Sequence, residues 1–165
     1  MLDICHWLEA TRVGVLVSES LYGFQVLVGL HILGLALSVG MLLWFDLRLV
    51  GVTLTSSAVS RVYRRLIPWA TAGFLVMLVT GSLLFIGFAS KAYQSPFFRI
   101  KMSALALAGV NALIYHLVTE RGGQAWDGDP CPPAAARAAG MISLVLWATV
   151  ILCGRIMAYT MYGAL

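Results

Sequence analysis

Long stretches without a charged residue alternate with short charged segments along this chain. Three stretches lack charges and a fourth contains Arg155 alone; in order they cover residues 20–45, 66–90, 102–119 and 138–165. Each is continuously apolar, whereas strands of a membrane barrel would alternate apolar and polar positions. One helical crossing of a bilayer takes about 20 apolar residues. The pattern therefore predicts four transmembrane helices, at about 20–46, 66–90, 97–120 and 138–163.

The segment before the first span has a different pattern. Residues 2–16 interleave apolar side chains with Asp3, Glu9 and Arg12, which is typical of a short amphipathic helix at a membrane surface. A signal peptide would open with Lys or Arg, so this segment is not predicted to be one. The predicted fold is all-α: an integral membrane four-helix bundle, with this N-terminal helix, in a single transmembrane domain over residues 1–165.

Prolines and glycines indicate where the predicted helices begin and end. Pro68 is expected in the first turn of the second helix, where a missing N–H costs little. Pro96 precedes the third helix in the same way. The Gly- and Pro-rich segment 122–133 predicts a loop before the fourth helix, and 53–65 is expected to form a short amphipathic helix on the membrane surface.

Composition narrows the class of protein. Hydrophobic residues make up 61% of the 165 and charged residues 11%, against roughly 25% charged in an average soluble domain. This excludes a disordered chain, a coiled coil, a disulfide-rich scaffold and an ordinary soluble enzyme. The chain has no phosphate-binding glycine loop and no His-Glu-x-x-His motif. We therefore expect an electron-transfer protein or a membrane subunit rather than a stand-alone enzyme.

The basic residues predict an orientation. We call the side that holds residues 46–65 and 120–137 the loop side, and the opposite side the N-terminal side. The loop side carries six arginines: Arg48, Arg61, Arg64, Arg65, Arg121 and Arg137. The N-terminal side carries four basic residues: Arg12, Lys91, Arg99 and Lys101. By the positive-inside rule the loop side is cytoplasmic and both termini are periplasmic. These charges are expected to contact anionic lipid, and no nucleic-acid partner is predicted.

Ionisable side chains inside a bilayer cost free energy and often mark a functional site. Three fall within the predicted spans: His31, His116 and Arg155. Counting residues from the charged edges places five side chains at one level, toward the N-terminal side of the midplane: His31, Met77, Thr80, Asn111 and Arg155. His116 lies near the loop side, because Glu120 follows four residues later.

Histidines on two apolar helices predict a haem b protein, since haem iron is commonly held by His or Met. His31 and His116 differ in depth by 11 residues, or roughly 16 Å of helix. Two ring nitrogens that share one iron lie only about 4 Å apart. A single haem between them is therefore disfavoured unless a helix is shifted, or unless a homodimer supplies ligands from two chains. Two haems would need further axial ligands, and Met77 and Met141 lie at matching levels.

Small residues beside the histidines are compatible with a flat cofactor or with close helix packing. They are Gly29, Gly34 and Gly40 in the first span, and Ala104, Ala108, Gly109 and Ala112 in the third. The predicted iron ligands are His31 and His116. Lys101 and Arg155 are predicted to hold the haem propionates. The full predicted cofactor-binding set is His31, Lys101, Asn111, His116 and Arg155.

Two charged residues need partners. Arg155 is expected to reach the membrane interface, to bond to Asn111 or Glu19, or to bind an anion such as a haem propionate. Asp46 lies at the end of the first helix, where its charge opposes the helix dipole. It is predicted to pair with one of the nearby arginines, and this structural role is favoured over ion conduction. The predicted ion-pair set is Asp46, Arg48 and Arg65.

Several segments together resemble an uncharacterised bacterial family of small four-helix inner-membrane proteins. They are LHILGLALSVG, DLRLVG, RRLIPWATAGF, SPFFRIK, AGVNALIYH and GRIMAY. The family pattern emphasises eight residues that this chain has: His31, Asp46, Arg48, Pro68, Lys101, Asn111, His116 and Arg155. More distantly, the layout is similar to the membrane cytochromes b and to the copper-resistance membrane proteins. These resemblances imply a multi-pass protein of the bacterial inner membrane.

Three functions follow from these patterns. The first is a redox protein that binds haem b and passes electrons between quinone and a partner, or serves as the membrane subunit of a redox complex. The second is transport or metal handling, with soft Cu(I) passed along methionines: Met77, Met141, Met157 and Met161. The third is a membrane scaffold or assembly factor without a cofactor.

Overall fold

The computed structural model describes residues 2–120 and 126–162, and every regular element in these ranges is helical. Two short helices, α1 (Leu2–Glu9) and α2 (Arg12–Glu19), come first. The long helices are α3 (Leu21–Val50), α4 (Val59–Gly87), α6 (Pro96–Ile114) and α7 (Ala134–Tyr162), with the short α5 (Ala89–Gln94) between α4 and α6. A π-helical turn, Tyr115–Glu120, extends α6. The four long helices are long and apolar enough to cross a membrane, so the predicted all-α membrane bundle is confirmed.

The N-terminal segment forms two helices where one was predicted. Thr11 ends α1 and begins α2, because its hydroxyl accepts a hydrogen bond from the Gly14 N–H at 3.2 Å. Ser20 does the same for α3, accepting from the Gly23 N–H at 3.1 Å. Such caps satisfy N–H groups that a helix start leaves unpaired. The first span therefore begins after two surface helices.

A loop residue far along the chain sets the start of α4. The Asp127 carbonyl oxygen accepts from the Val59 N–H at 3.0 Å, and its carboxylate accepts from the Ser60 N–H and Oγ, both at 2.6 Å. Burial raises the pKa of Asp127, but these hydrogen bonds and the positive charges of Arg64 and Arg48 bring it below the ordinary value. Asp127 thus caps α4.

Because α4 begins at Val59, Pro68 lies well inside the helix, and the expected first-turn position is wrong. The separate surface helix expected at 53–65 is largely the first part of α4. Charges mark where a span leaves the apolar layer, whereas the helix itself continues until its terminal N–H and C=O groups find capping partners.

The bundle is built from helix pairs in close contact. α3 packs most extensively against α4, α6 packs against α7, and α3 also contacts α7. At the α3–α4 crossing, a Cβ placed on Gly73 would lie 2.6 Å from Ser38 N and 2.7 Å from Gly34 O. The two backbones therefore touch, as small residues permit in membrane helices.

The short helices close the N-terminal side of the bundle. α1 contacts α5, and α2 contacts α4. Glu9 Oε1 accepts from the Ser90 N–H at 2.9 Å and from Ser90 Oγ at 2.5 Å. Burial raises the pKa of Glu9, but the hydrogen bonds from Ser90 and the nearby His6 lower it below the ordinary value. These bonds fasten α1 to the start of α5.

Candidate functional site

His31 on α3 is held by a hydroxyl on α4. Nδ1 of His31 lies 3.0 Å from Thr80 Oγ1. The Thr80 hydroxyl has one proton and donates it to the Val76 carbonyl oxygen at 2.7 Å, as threonines inside helices commonly do. His31 must then donate from Nδ1 to Thr80 Oγ1, and a neutral imidazole with its proton on Nδ1 has a lone pair at Nε2. The hydrogen bond therefore selects the tautomer that can bind a metal through Nε2.

Gly81 makes room for the ring. A Cβ at this position would lie 3.0 Å from Cε1 and 3.4 Å from Nδ1 of His31. The Met77 carbonyl is a second acceptor beside the ring, so α4 presents two acceptors and a glycine to His31. The sequence carried a signal for this contact in the adjacent Thr80 and Gly81, although only Thr80 was placed at the level of His31.

Lys101 on α6 belongs to the same region. It lies near enough to His31 for their charges to interact, and its Nζ would be 3.7 Å from a Cβ on Gly154 of α7. The side chain is half-buried, and within the described ranges it forms no ion pair. We call His31, Thr80, Gly81, Lys101 and Gly154 the His31 site.

A cavity of about 290 Å³ lies among α3, α4, α6 and α7 on the loop side. We call it the Asp46 cavity. Its polar lining consists of Ser38, Asp46, Thr71, Asn111, His116 and Ser143. Its aromatic lining consists of Phe45, Tyr63, Phe74, Tyr115 and Trp147.

Asn111 lies in the Asp46 cavity and not beside His31. Its Nδ2 donates to the Ala139 carbonyl oxygen at 3.0 Å. The neighbouring Gly140 packs on the Asp46 backbone, since a Cβ there would lie 2.9 Å from Asp46 O. The predicted common level of Asn111 and His31 is wrong. Counting from Arg99 took the start of α6 as the membrane edge, whereas Lys101 is packed inside the bundle.

The two histidines occupy different sites. His31 contacts α4 near the N-terminal side, and His116 lines the Asp46 cavity. Whether either histidine binds haem stays a prediction. Of the proposed partner methionines, Met77 is buried in an apolar cluster with Ala104 and Trp147, and Met141 is 58% exposed. Neither position marks the methionine as an axial ligand of a haem iron. Within the described residues, no three His, Cys, Asp or Glu side chains gather as a metal-binding group.

Arg155 is exposed on the outer face of α7. Its Nη2 donates to Tyr159 Oη at 3.0 Å, and the guanidinium carbon lies 4.7 Å from the centre of the Tyr159 ring. Of the three arrangements expected for Arg155, the bond to Asn111 does not form among the described residues, where Asn111 donates to Ala139 O and Arg155 donates to Tyr159. The structure instead pairs Arg155 with the tyrosine one turn later.

The predicted ion pair at Asp46 does not form. No Lys or Arg nitrogen lies within 4.0 Å of its carboxylate in the described part of the chain. Arg48 lies two positions further along α3, and residues at that spacing do not face each other. Its Nε donates to Ser57 O and its Nη2 to Asp129 O, each at 2.9 Å. Arg65 is exposed on α4, and Asp46 faces Ser143.

Only some of the small residues serve in helix packing, and Gly109 has open space where a Cβ would be. Gly34 meets the backbone of Gly73, and Ala104 and Ala108 are buried. Gly29 and Gly40 have open space where a Cβ would be. The sequence could not separate these two environments, because both groups of residues are small and lie in apolar helices.

Comparison with known families covers nearly the whole chain. Residues 5–160 match one family along their length. The chain belongs to the DUF6644 family. DUF6644 is a family of unknown function, which confirms the expectation of an uncharacterised membrane family and assigns no activity. The distant similarity to cytochromes b and copper-resistance proteins stays a prediction. No curated protein and no solved structure matches this DUF6644 chain.

Proposed function

We propose that this DUF6644 protein is a redox protein of the bacterial inner membrane that binds haem b through His31. The proposal rests on one observation, the 3.0 Å contact between His31 Nδ1 and Thr80 Oγ1, whose own proton goes to the Val76 carbonyl oxygen. Histidines that bind metals usually donate their other ring N–H to a fixed acceptor, which sets the tautomer and the ring orientation. His31 has this arrangement before any ligand is considered.

The charges around His31 fit an anionic cofactor. Lys101 lies beside the histidine, and no carboxylate of the described residues pairs with it. A half-buried ammonium without a counter-ion favours binding of an anion. His31 would hold the iron, and Lys101 would hold a propionate. The haem, when bound, supplies one-electron transfer.

The redox role places the protein between a quinone and a partner, or within a larger complex as its membrane subunit. The loop side, which carries the arginine-rich start of α4, faces the cytoplasm in this proposal, and the termini face the periplasm. The His31 site then lies toward the periplasmic side. One haem per chain is expected, because His116 lies in a different part of the bundle.

The test is an optical spectrum of the detergent-purified protein, oxidised and then reduced with dithionite, with a pyridine haemochrome assay. We expect a Soret band, a reduced α band and one haem b per chain. His31→Ala should remove the haem, whereas His6→Ala, on the exposed face of α1, should retain it.

A second pair of variants isolates the hydrogen bond. Thr80→Val should lower haem retention several-fold, because Nδ1 loses its acceptor. Thr149→Val is the matched control, since Thr149 makes the same bond to its own helix, at 2.9 Å to Val145 O, but is remote from His31. A colourless wild-type protein would overturn the proposal. Bound copper in that colourless protein would support metal handling, and its absence would leave transport or a scaffold role.

A further inference from the structure

We propose that the Asp46 cavity is a binding site for a small organic cation that carries a protonated amine. The proposal does not depend on haem, because the Asp46 carboxylate lies toward the loop side of the bundle, away from His31. Asp46 follows His31 by 15 positions on α3, which is roughly 22 Å of helix.

Two buried acceptors in the cavity lack partners. Asp46 is only 4% exposed and its Oδ2 has no hydrogen bond, and Ser38 is fully buried with an unpaired Oγ. Both residues line the cavity. Nearly all buried polar atoms in proteins are hydrogen-bonded, because an unpaired one loses its bonds to water without replacement. A ligand that donates a hydrogen bond to Asp46 Oδ2 would satisfy that atom, while Ser38 lies eight positions, roughly 12 Å of helix, away at the other end of the cavity.

A ligand can supply the positive charge that the Asp46 carboxylate lacks. Among the described residues, no Lys or Arg reaches the Asp46 carboxylate, and Arg48 is already bonded to two loop carbonyls. Ser143 is the polar side chain that faces the carboxylate from α7, and a hydroxyl supplies no charge. A buried carboxylate is stable only when paired or hydrogen-bonded.

The aromatic lining suits the same class of ligand. Phe45 stands edge-on to Tyr63 and to Tyr115, with ring centres 5.5 and 5.7 Å apart. Phe74 and Trp147 also line the cavity. Aromatic faces attract ammonium groups, most strongly where water is excluded. A carboxylate within an aromatic wall therefore selects a cation that also has an apolar part.

The size of the cavity limits the ligand. A volume of about 290 Å³ lies at the lower end of the range for small-molecule sites. A single ring or a short alkyl chain with one ammonium group is the class that fits. Because the unpaired atoms are acceptors, an amine with N–H groups should bind more tightly than a quaternary ammonium of similar size.

The experiment compares charged and neutral probes of one shape. Benzylammonium chloride and benzyl alcohol are titrated into the purified full-length protein by calorimetry, and the melting temperature is followed in parallel. We expect benzylammonium to bind at least ten-fold more tightly than the alcohol. Asp46→Asn should remove this preference, whereas Glu19→Gln, which removes an exposed carboxylate on α2, should not.

Further outcomes keep the proposal falsifiable if Asp46→Asn fails to fold. Phe74→Leu keeps an apolar side chain but removes one aromatic ring. It should weaken benzylammonium binding several-fold. Equal binding of the amine and the alcohol would overturn the proposal. The proposal would also be overturned if NaCl alone stabilised the protein and competed with benzylammonium for binding. That result would assign the cavity to an inorganic cation. Retention of the His31-dependent spectrum by Asp46→Asn would show that the two sites are separate.

Discussion

Polar side chains in this protein are satisfied in three ways. His31 bonds to a hydroxyl on the neighbouring helix, and Arg48 bonds to backbone carbonyls of two loops. Asp127 accepts from the first turn of α4. Each arrangement avoids a bare charge in an apolar setting. Asp46 and Arg48 each keep one buried atom without a partner among the described residues, Oδ2 of Asp46 and Nη1 of Arg48.

Asp127 should make stability depend on pH. Its folded-state pKa lies below the ordinary value of 3.8, so its contribution is complete above about pH 4 and is lost as the pH falls through the folded pKa. Asp127→Ala should lower the free energy of unfolding by about 1 kcal/mol at pH 7. The difference from wild type should shrink in acid. Thermal unfolding followed by tryptophan fluorescence from pH 3 to 7 measures both effects.

Asp129→Asn is the control for Asp127→Ala, because Asp129 contacts Arg48 through its backbone oxygen and not its carboxylate. Its melting curve should match wild type across the pH range. If Asp127→Ala is as much less stable than wild type at pH 3 as it is at pH 7, the carboxylate charge does not have this role.

Part of the site could be predicted at the level of residues. Residue counting predicts Thr80 at the level of His31, and the structure places Thr80 against the ring. The assignment of Lys101 to a haem propionate stays a prediction. The Asp127 cap could not be found, since Asp127 and Ser60 are 67 positions apart. The partner of Asp46 was predicted wrongly, because charge spacing does not show which face of α4 the arginines occupy.

At the scale of helices, the α3–α4 contact is the most extensive in the described part of the bundle. Gly34 and Gly73 bring the two backbones together at the level between His31 and Asp46. Both ligand sites depend on this contact, because the partners of His31 and part of the cavity wall come from α4. A change in the spacing of these helices would alter both sites at once.

Gly73→Ala should therefore destabilise the protein by about 1–3 kcal/mol, since the added methyl meets backbone atoms that cannot move alone. Gly29→Ala should be neutral or stabilising by up to about 1 kcal/mol, because its Cβ points into open space and alanine favours helix. Melting temperatures in one detergent compare the two. Equal destabilisation by both would argue against a tight α3–α4 crossing.

The existence and order of the long helices could be predicted, and their ends could not. Twenty-residue apolar runs leave little choice of structure inside a bilayer. The start of α4 depends on a cap from another loop, and the division between α1 and α2 depends on the local bond at Thr11. Apolar patterning carries no information about either bond.

At the scale of the whole molecule, the two ends of the bundle are closed by different kinds of structure. The N-terminal side is covered by α1, α2 and α5, whereas the loop side is closed by segments around Ser57 and Asp129 that meet at Arg48. The His31 site belongs to the first side and the Asp46 cavity to the second. Orientation in the membrane therefore decides which compartment lies nearer each site.

The natural cysteines allow this orientation to be measured. Cys131 is exposed on the loop side, whereas Cys5 and Cys153 are buried. With the loop side in the cytoplasm, an impermeant maleimide should label Cys131 only after spheroplasts are opened. In a Cys131→Ser background, Ser18→Cys on the exposed face of α2 should be labelled in intact spheroplasts. Labelling of Cys131 in intact spheroplasts would show that the orientation is the opposite of the one proposed.

Arg48 imposes an unusual constraint on the two loops that it joins. Its guanidinium donates hydrogen bonds to the backbone carbonyl oxygens of Ser57 and Asp129. Every residue type has a backbone carbonyl oxygen. Evolution is then free to exchange the side chains at these two positions. Inserting or deleting a residue would instead move the carbonyls away from Arg48. The loops of this bundle should drift in composition while keeping their lengths.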